Sequence, residues 1–496
     1  MHPYLLRDLH LFYPEIAITV TLLLVVVADI VLARVRGKIT FFLTALGLMV
    51  AFALTVPLFG AGERTLFFGM VALDPMAVFF KGFLILTSFL VLLAAPGSRE
   101  LARSHLGEFY ALLLGVTLGT LLLASSTDML MLFLSLEMVS LTSYIMVGYL
   151  RDDRQSNEAS LKYILFGAVS TGSMLYGITL LFGLTGTTKM AAIREVLASG
   201  VAAPNGMALL VSTVLILAGF GFKTAAVPFH FWCPDVYTGA PTPVTAFLSV
   251  APKAAGFATL IRFFFTGLSE TTPGSTQWTA FTALNWSFLV LIISIITMTL
   301  GNIAALRQDN MKRMLAYSSI AHAGYVLMGT VVLSSEGVQA VLIYLITYLF
   351  MNLGAFLVVI EIFNRTGSFD LKDYGGLYKR SPFLTIAMTI FLLSLMGIPP
   401  FAGFFGKLFV FGAAVNRNLA WFAVVGALNS VIAVYYYARV IKTMIMEPSA
   451  DGRRIQLPWT SQALVWVMLL PTIGMMLVWD SIQKLTNESM KLFLGS

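Results

Sequence analysis

Apolar residues occur in runs of about twenty from one end of the chain to the other, and short polar segments separate the runs. An α-helix needs about 20 apolar residues to cross a hydrocarbon core about 30 Å thick. Each run is therefore predicted to form a transmembrane helix. The sequence predicts an all-α integral membrane protein of about fourteen transmembrane helices, near residues 11–34, 38–59, 74–95, 108–125, 127–149, 159–184, 206–236, 241–267, 284–304, 315–333, 337–363, 383–415, 420–446 and 461–482.

The seventh and twelfth runs are too long for one simple crossing, and both contain helix breakers. Pro228 and Pro234 interrupt the seventh run, and Pro399-Pro400 interrupts the twelfth. Unwound backbone is tolerated inside a membrane only where it lines a cavity, so paired interrupted helices indicate a transport site.

A short internal similarity connects these two interrupted runs. Gly219-Phe-Gly-Phe-Lys223 and Gly403-Phe-Phe-Gly-Lys407 each place a lysine four residues after a glycine. The runs lie five helices apart, which is an odd number, so units containing them would cross the membrane in opposite directions. We therefore expect inverted repeats with interrupted helices 7 and 12.

The composition places the chain in the membrane class and excludes several kinds of site. Of the 496 residues, 58% are hydrophobic and 11% are charged, against about 25% charged in soluble domains. The single cysteine, Cys233, excludes a disulfide framework and a Cys-x-x-Cys iron–sulfur or zinc site. The five histidines are scattered, without the facing pairs that a membrane haem needs. We expect no redox cofactor and no NADH site in this chain.

Basic residues between the predicted helices are distributed unequally across the membrane. The segments after odd-numbered helices contain eighteen Lys and Arg residues, and those on the other side contain eight. We call these sides the basic face and the opposite face. The positive-inside rule places the basic face in the cytoplasm and both termini outside. This bias accounts for the pI of about 9.3, so nothing in the charge indicates nucleic-acid binding.

Five basic residues are left over from this count; all lie inside the predicted helices, and none is an arginine: Lys81, Lys162, Lys223, Lys253 and Lys407. A charge at a helix centre costs about 2.5–3.5 kcal/mol on insertion scales, so each one calls for a reason. Buried lysine changes its pKa readily, whereas arginine is effectively never deprotonated. Only lysine can therefore carry a proton in these positions.

Glu137, in the middle of helix 5, is the predicted counter-charge. Buried ion pairs can also serve only to hold helices in register, and such structural pairs perturb pKa values as functional groups do. That interpretation fits poorly here, because Glu137 would have to serve several lysines and Lys407 has no acidic residue in its own helix. We therefore expect Glu137, Lys223, Lys253 and Lys407 to carry protons, with Glu137 paired to Lys223.

Other titratable residues are weaker candidates. Lys162 lies near the start of helix 6 and is either part of the proton route or an interfacial residue whose charge extends to water; Lys81 fits the second description better. His322, among small residues, is equally a proton relay or a satisfied core histidine. His230, near the end of interrupted helix 7, is expected to cap or anchor rather than react.

One long motif carries a family resemblance. Residues 222–244 read Phe-Lys-Thr-Ala-Ala-Val-Pro-Phe-His-Phe-Trp-Cys-Pro-Asp-Val-Tyr-Thr-Gly-Ala-Pro-Thr-Pro-Val. This stretch resembles the signature of the antiporter-like membrane subunits of respiratory complex I, related hydrogenases and Mrp-type cation/proton antiporters. The chain also resembles that family in its helix count and in the positions of Glu137 and its lysines.

The resemblance implies a function and a domain organisation. It implies helices 4–8 and 9–13 as two inverted five-helix repeats, with a three-helix segment at 1–107, the repeats at 108–283 and 284–446, and a last helix in 447–496. It implies that Lys223 takes up protons under control of Glu137, that Lys253 passes them across the midplane and that Lys407 releases them outward, with Lys162 on the uptake route.

The same resemblance implies that the chain works inside a complex I, among other membrane and peripheral subunits. FMN, iron–sulfur clusters and quinone would be held by those partners. Two alternatives remain open: a subunit of an Mrp-type antiporter or membrane-bound hydrogenase, and a structural membrane subunit whose buried charges only hold helices together.

Overall fold

Fourteen helical crossings organise the computed structural model, which describes residues 8–32, 36–102, 105–201, 205–271, 276–282, 284–449 and 454–492. Every predicted apolar run corresponds to a helix, so the all-α membrane prediction is confirmed. The helices are α1 Tyr13–Val31, α2 Arg36–Thr55, α3 Pro75–Ala94, α4 Leu106–Ser125, α5 Met129–Val147, α6 Arg154–Thr185, α7a Gly206–Thr224, α7b Trp232–Gly239, α8 Thr242–Arg262, α9 Trp286–Ala305, α10 Met311–Val331, α11 Ser335–Thr366, α12a Pro382–Met396, α12b Ala402–Asn416, α13 Ala420–Met446, α14a Trp459–Gly474 and α14b Trp479–Ser489.

Twelve helical segments in the described part of the chain are long and apolar enough to cross a membrane. The two remaining crossings are special cases. The twelfth is divided into the short apolar helices α12a and α12b. The tenth, α10, carries Lys312, Arg313 and His322, and all of its residues except Arg313 and Tyr317 are buried. Because neighbouring helices rather than lipid surround α10, it can be polar.

Helices five crossings apart share details that support the inverted repeats. Both α6 and α11 contain 32 residues, and each is followed by a glycine with positive φ, Gly186 or Gly367. The segment that follows each of these helices accepts a backbone hydrogen bond from the first residue of the preceding helix. After α6, Thr188 O accepts from Met129 N of α5 at 2.8 Å; after α11, Phe369 O accepts from Met311 N of α10 at 2.8 Å. Since α6 and α11 are separated by an odd number of crossings, they run in opposite directions.

The two interruptions differ in where they place their lysine. Lys223 lies in the last turn of α7a, before the break, whereas Lys407 lies in the second turn of α12b, after it. The similarity between the two Gly–Phe–Lys segments therefore does not mark equivalent positions. Lys407 is not in the unwound segment itself, as the sequence suggested, but one and a half turns beyond its end.

Two small antiparallel hairpins cover the opposite face. One pairs Arg64–Leu66 with Val71–Leu73 between α2 and α3, and the other pairs Ser269–Glu270 with Thr279–Ala280 between α8 and α9. Both are too short to form a sheet of their own. They close the ends of helix pairs and leave the interior of the bundle to the helices.

Buried ion pairs correct three expectations about charge. Arg262, which the sequence counts among the eight basic residues of the opposite face, is fully buried in the last turn of α8 and paired with Asp74, so an arginine does lie inside the helices. Lys312, also assigned to a loop, is fully buried and lies 3.7 Å from Glu100. Lys81 does not extend to an interface, because it is fully buried and lies 2.7 Å from Glu15 on α1.

Candidate functional site

Lys223 reaches the face of α5 that carries Glu137. Its Nζ donates to Ser140 Oγ at 3.2 Å, and Ser140 lies three residues after Glu137, on the same side of the helix. No direct ion pair joins Glu137 to Lys223, although both residues are in the described ranges. Glu137 is half-buried, and its Oε1 is buried without a hydrogen-bond partner among the described residues. The structure therefore shows a hydrogen bond from Lys223 to the Ser140 hydroxyl in place of the expected direct ion pair between Lys223 and Glu137.

Lys253 occupies the centre of the bundle on α8, which is buried along its whole length. Its Nζ donates to Ser319 Oγ at 2.6 Å and to Ser319 O at 3.3 Å. Tyr348 OH donates to the same hydroxyl at 2.9 Å. The side chain of Lys223 packs close to Gly256, one turn along α8 from Lys253. The aliphatic part of Lys223 on α7a therefore packs against α8 one turn from Lys253.

His322 lies on α10 among tyrosines. Its Nδ1 is hydrogen-bonded to Tyr344 OH at 2.7 Å, and its Nε2 is 3.4 Å from Tyr437 OH. The rings of His322 and Tyr348 are 5.1 Å apart. Each ring nitrogen therefore has a hydroxyl neighbour, which satisfies a core histidine and also suits a relay, so the geometry keeps both interpretations of His322.

Lys407 has backbone groups rather than a carboxylate as its partners. Its Nζ donates to Met396 O at 2.7 Å and to Leu395 O at 3.2 Å, at the carboxyl end of α12a. The unpaired carbonyls at a helix carboxyl end carry partial negative charge and favour a nearby cation. Nζ also lies 5.0 Å from the centre of the Tyr325 ring, a distance at which the π-face attracts a cation.

Gly397 makes the approach of Lys407 possible. It ends α12a with a φ of 86°, and a Cβ placed on it would lie 2.8 Å from Lys407 Cδ. Glycine adopts such a backbone without strain and leaves this space empty. The interruption of helix 12 therefore both exposes carbonyls and admits the lysine to them.

Lys162 lies at the edge of a cavity on the basic face. Its Nζ is 2.7 Å from Asp235 on α7b and 2.9 Å from Glu158. Asp235 also pairs with Arg313 on α10 at 2.5 Å. The cavity has a volume of about 170 Å³ and is lined by Gln155, Glu158, Ala159, Lys162, Asp235, Thr238, Gly239 and Arg313. Asp235, which sequence reasoning left as a neighbour of His230, is thus a central charge of this group.

Sequence reasoning missed the hydroxyl groups that connect the candidates. Ser140, Ser319, Tyr348 and Tyr437 contact the lysines or His322 and are buried. Serine and tyrosine are common in membrane helices, so their side chains gave no signal in one sequence. One signal was present in the sequence: a buried lysine or histidine without an acidic partner needs other hydrogen-bond partners, and hydroxyl groups can supply them.

A metal site is a separate question from the lysine chain. Within the described ranges, no three His, Cys, Asp or Glu side chains come together in a way that could hold a metal ion. Cys233 is a free, buried thiol between α7b and α10, 4.0 Å from Ala316 O.

Comparison with known proteins places this geometry in a family. A family model described as NADH:quinone oxidoreductase/Mrp antiporter, TM, matches residues 126–433, which include α5 to α12 and every candidate residue above. The chain belongs to that family. A relative, NADH-quinone oxidoreductase subunit N of Anaeromyxobacter sp. strain Fw109-5, is 43% identical over 99% of this chain and 98% of its own length.

Solved members of the family have the same fold. A chain of respiratory complex I from Thermus thermophilus, solved with bound aureothin, superposes with a TM-score of 0.74 and is 32% identical, covering 93% of this chain and 99% of that chain. A chain of the Mrp complex from Dietzia sp. DQ12-45-1b has a TM-score of 0.81 and 22% identity, covering 97% of each. The second likeness concerns the fold alone. Both solved chains belong to complexes, respiratory complex I in one case and the Mrp complex in the other.

Proposed function

We propose that this chain is the subunit N of an NADH:quinone oxidoreductase and moves protons across the membrane. The observation that carries the proposal is the line of buried lysines Lys223, Lys253 and Lys407, each bonded to neutral groups rather than to a carboxylate. A buried ammonium without a counter-ion is costly and can lose its proton. Such a group is suited to carrying a proton and contributes little to holding helices together.

Each residue takes a role from its position. The cavity with Lys162 and Asp235 opens on the basic face and would admit protons to Lys223. The side chain of Lys223 packs against α8 at Gly256, one turn from Lys253, so Lys253 would receive the proton next. Lys407, at the carboxyl end of α12a, would release it to the opposite face. The negative charge of Glu137, on the same face of α5 as Ser140, would favour the protonated form of Lys223.

Electron transfer in partner subunits would drive this movement. FMN, iron–sulfur clusters and quinone would lie in those partners, and this chain would hold none of them. The basic face would be cytoplasmic and both termini would be outside; Met1 and Ser496 lie outside the described residues. The repeats would have the boundaries 108–283 and 284–446, between the segments 1–107 and 447–496.

The test is NADH-driven proton uptake in vesicles that contain the intact complex. Glu137→Gln and Lys223→Ala should assemble and lose the coupled uptake that passes through Lys223. Lys223→Arg should fail as well, because arginine keeps the charge but does not release a proton. Lys189→Arg and Glu63→Gln, at exposed positions on the opposite face, are the matched controls and should pump normally.

Two results would reject the proposal. Wild-type uptake in both Glu137→Gln and Lys223→Arg would mean that the buried charges are structural. Purification of the chain with antiporter subunits and without NADH-oxidising partners would favour the Mrp alternative, for which the 22% identity supports only a common fold.

A further inference from the structure

A second set of buried polar groups lies next to His322, between α9, α10 and α13. It consists of Asn302, Ser318, Tyr325, Tyr436 and Tyr437, each at most 1% exposed. Among the described residues, no hydrogen bond joins this set to Lys223, Lys253 or Glu137. Burying so many hydroxyls is costly unless they bond to one another, and the proposed pumping route uses only the Tyr325 ring, beside Lys407.

The hydroxyls of this set form a short relay to His322. Tyr437 OH is 2.5 Å from Ser318 Oγ and 3.4 Å from His322 Nε2. On its other side, His322 Nδ1 is bonded to Tyr344 OH at 2.7 Å. Hydroxyl and imidazole groups each accept and donate a hydrogen bond, so every member of this series can receive one proton and pass on another.

A second branch holds the tyrosines in place and leads to Lys407. Tyr436 OH donates to Asn302 Oδ1 at 3.1 Å, and Asn302 Nδ2 donates to Tyr325 OH at 3.1 Å. The Tyr325 ring is the one beneath Lys407. An amide keeps its own protons, so Asn302 is a positioning residue rather than a carrier. It fixes Tyr436 and Tyr325 on either side of it.

The basic-face end of this set is polar and reaches water. Arg439 lies three residues after Tyr436 on α13, and its guanidinium bonds to Gln308 O and lies 3.4 Å from Asp309. The Asp309 side chain is 85% exposed and that of Arg439 is 25% exposed. Arg439 Nε is buried with no hydrogen-bond partner in the described part of the chain. Polar groups therefore extend from solvent on the basic face to the turn that carries Tyr436 and Tyr437.

We propose that α9, α10 and α13 form a second proton entrance, which leads from the basic face through Tyr437 and Ser318 to His322 and does not pass Lys223. This inference rests on the proposed proton-moving function. A proton arriving at Ser318 displaces the Ser318 hydroxyl proton to Tyr437, Tyr437 passes its own hydroxyl proton to His322 Nε2, and His322 passes its Nδ1 proton to Tyr344, whose hydroxyl proton leaves as the one proton moved. His322 returns to its original tautomer before the next proton arrives. Each group regains its original proton count, so no oxidant or other reactant is needed.

The experiment compares neighbouring tyrosines on one helix in the assembled complex. Tyr437→Phe removes only the relaying hydroxyl, and Ser318→Ala removes its partner. Tyr435→Phe is the matched control, because Tyr435 is 64% exposed on the outside of the same helix. We expect Tyr435→Phe to pump normally, and Tyr437→Phe and Ser318→Ala to lose the share of NADH-driven proton uptake that enters by this route, since a positioned proton-transfer group typically contributes about 10²–10⁴-fold to proton transfer. Uptake through Lys223 should continue, so the total uptake falls in part. Equal uptake rates for Tyr437→Phe and Tyr435→Phe would overturn the proposal.

A labelling measurement covers the case in which these variants do not assemble. In a Cys233→Ala background, Ser318→Cys should react with a small charged methanethiosulfonate added on the basic face and not with one added on the opposite face. Reaction from the opposite face, or from neither, would overturn the second entrance. Failure of the proposed function itself has a different signature, namely normal pumping by Glu137→Gln and Lys223→Arg.

Discussion

The Nζ of Lys253 donates a 2.6 Å hydrogen bond to the hydroxyl of Ser319, across the contact between α8 and α10. Tyr348 donates to the same oxygen. Since α8 belongs to the first predicted repeat and α10 to the second, this serine connects the two halves of the lysine series.

Replacement of that serine should impair proton movement without unfolding the protein. Hydrogen bonds to charged groups contribute about 1.5–3 kcal/mol, so Ser319→Ala should favour neutral Lys253 by about tenfold or more. We expect assembled complex with slowed NADH-driven proton uptake. Ser294→Ala, which removes a buried hydroxyl bonded to Gly324 O at 2.7 Å, is the control. Equal uptake rates for Ser319→Ala and Ser294→Ala would contradict the role of Ser319.

A methyl group at Gly397 should displace Lys407 from its carbonyl partners. Gly397→Ala places a Cβ 2.8 Å from Lys407 Cδ and requires alanine to adopt a φ of 86°. We expect a strong loss of proton uptake in assembled complex, comparable with that of Lys407→Ala. Gly412→Ala, also in α12b, has no atom within 4 Å of the new Cβ and should pump normally. If Gly397→Ala pumped as well as Gly412→Ala, the bond from Lys407 to α12a would be dispensable.

The pair between Asp74 and Arg262 should contribute to stability rather than to transport. Two hydrogen bonds of 2.6 and 2.9 Å join the buried groups, and removing one partner of a buried pair typically costs about 3–5 kcal/mol. Asp74→Asn should therefore lower the midpoint of thermal unfolding of the purified complex clearly. Glu108→Gln breaks an exposed pair of 3.8 Å that contributes about 0–1 kcal/mol. A midpoint for Asp74→Asn as high as that for Glu108→Gln would show that the buried pair adds no stability.

Labelling of two exposed loops tests the orientation. Asp152 follows α5 on the basic face, and Glu63 precedes α3 on the opposite face; both are exposed. In a Cys233→Ala background, an impermeant maleimide should modify Asp152→Cys only from the cytoplasm and Glu63→Cys only from outside. The reverse pattern would invert the positive-inside assignment, and the same pattern for both would revise the number of crossings between them.

The number and position of the helices were predictable because the bilayer imposes a length on every apolar run. The interruptions of helices 7 and 12 were predictable for the same reason, since their runs exceed one crossing. The polar helix α10 was found from the weaker apolar run at 315–333, but its start at Met311 was missed. Lys312 looks like a loop residue in sequence and becomes a core residue only because Glu100, after α3, and Ala240, before α8, come to lie beside it.

The candidate site was predictable in its charged members and not in their partners. A lysine in an apolar run stands out, so Lys223, Lys253 and Lys407 were identified from sequence. Their partners are hydroxyls and backbone carbonyls on other helices, and tertiary packing alone decides which of these come into contact. For the same reason, the expected pairing of Glu137 with Lys223 became an approach through Ser140.

The partners of Lys407 are main-chain oxygens, and this affects how the chain can change over time. A carboxylate partner can be lost by one substitution, and the lysine that it leaves unpaired would then tend to be replaced as well. The negative end of α12a is present whatever side chains the helix carries, so no single substitution of a partner residue can abolish it. Its attraction for a cation also does not vary with pH, because peptide carbonyls do not titrate. The attraction of these carbonyls for Lys407 is therefore the same at every pH, and movement of α12a relative to α12b changes it by changing the distances to Met396 O and Leu395 O.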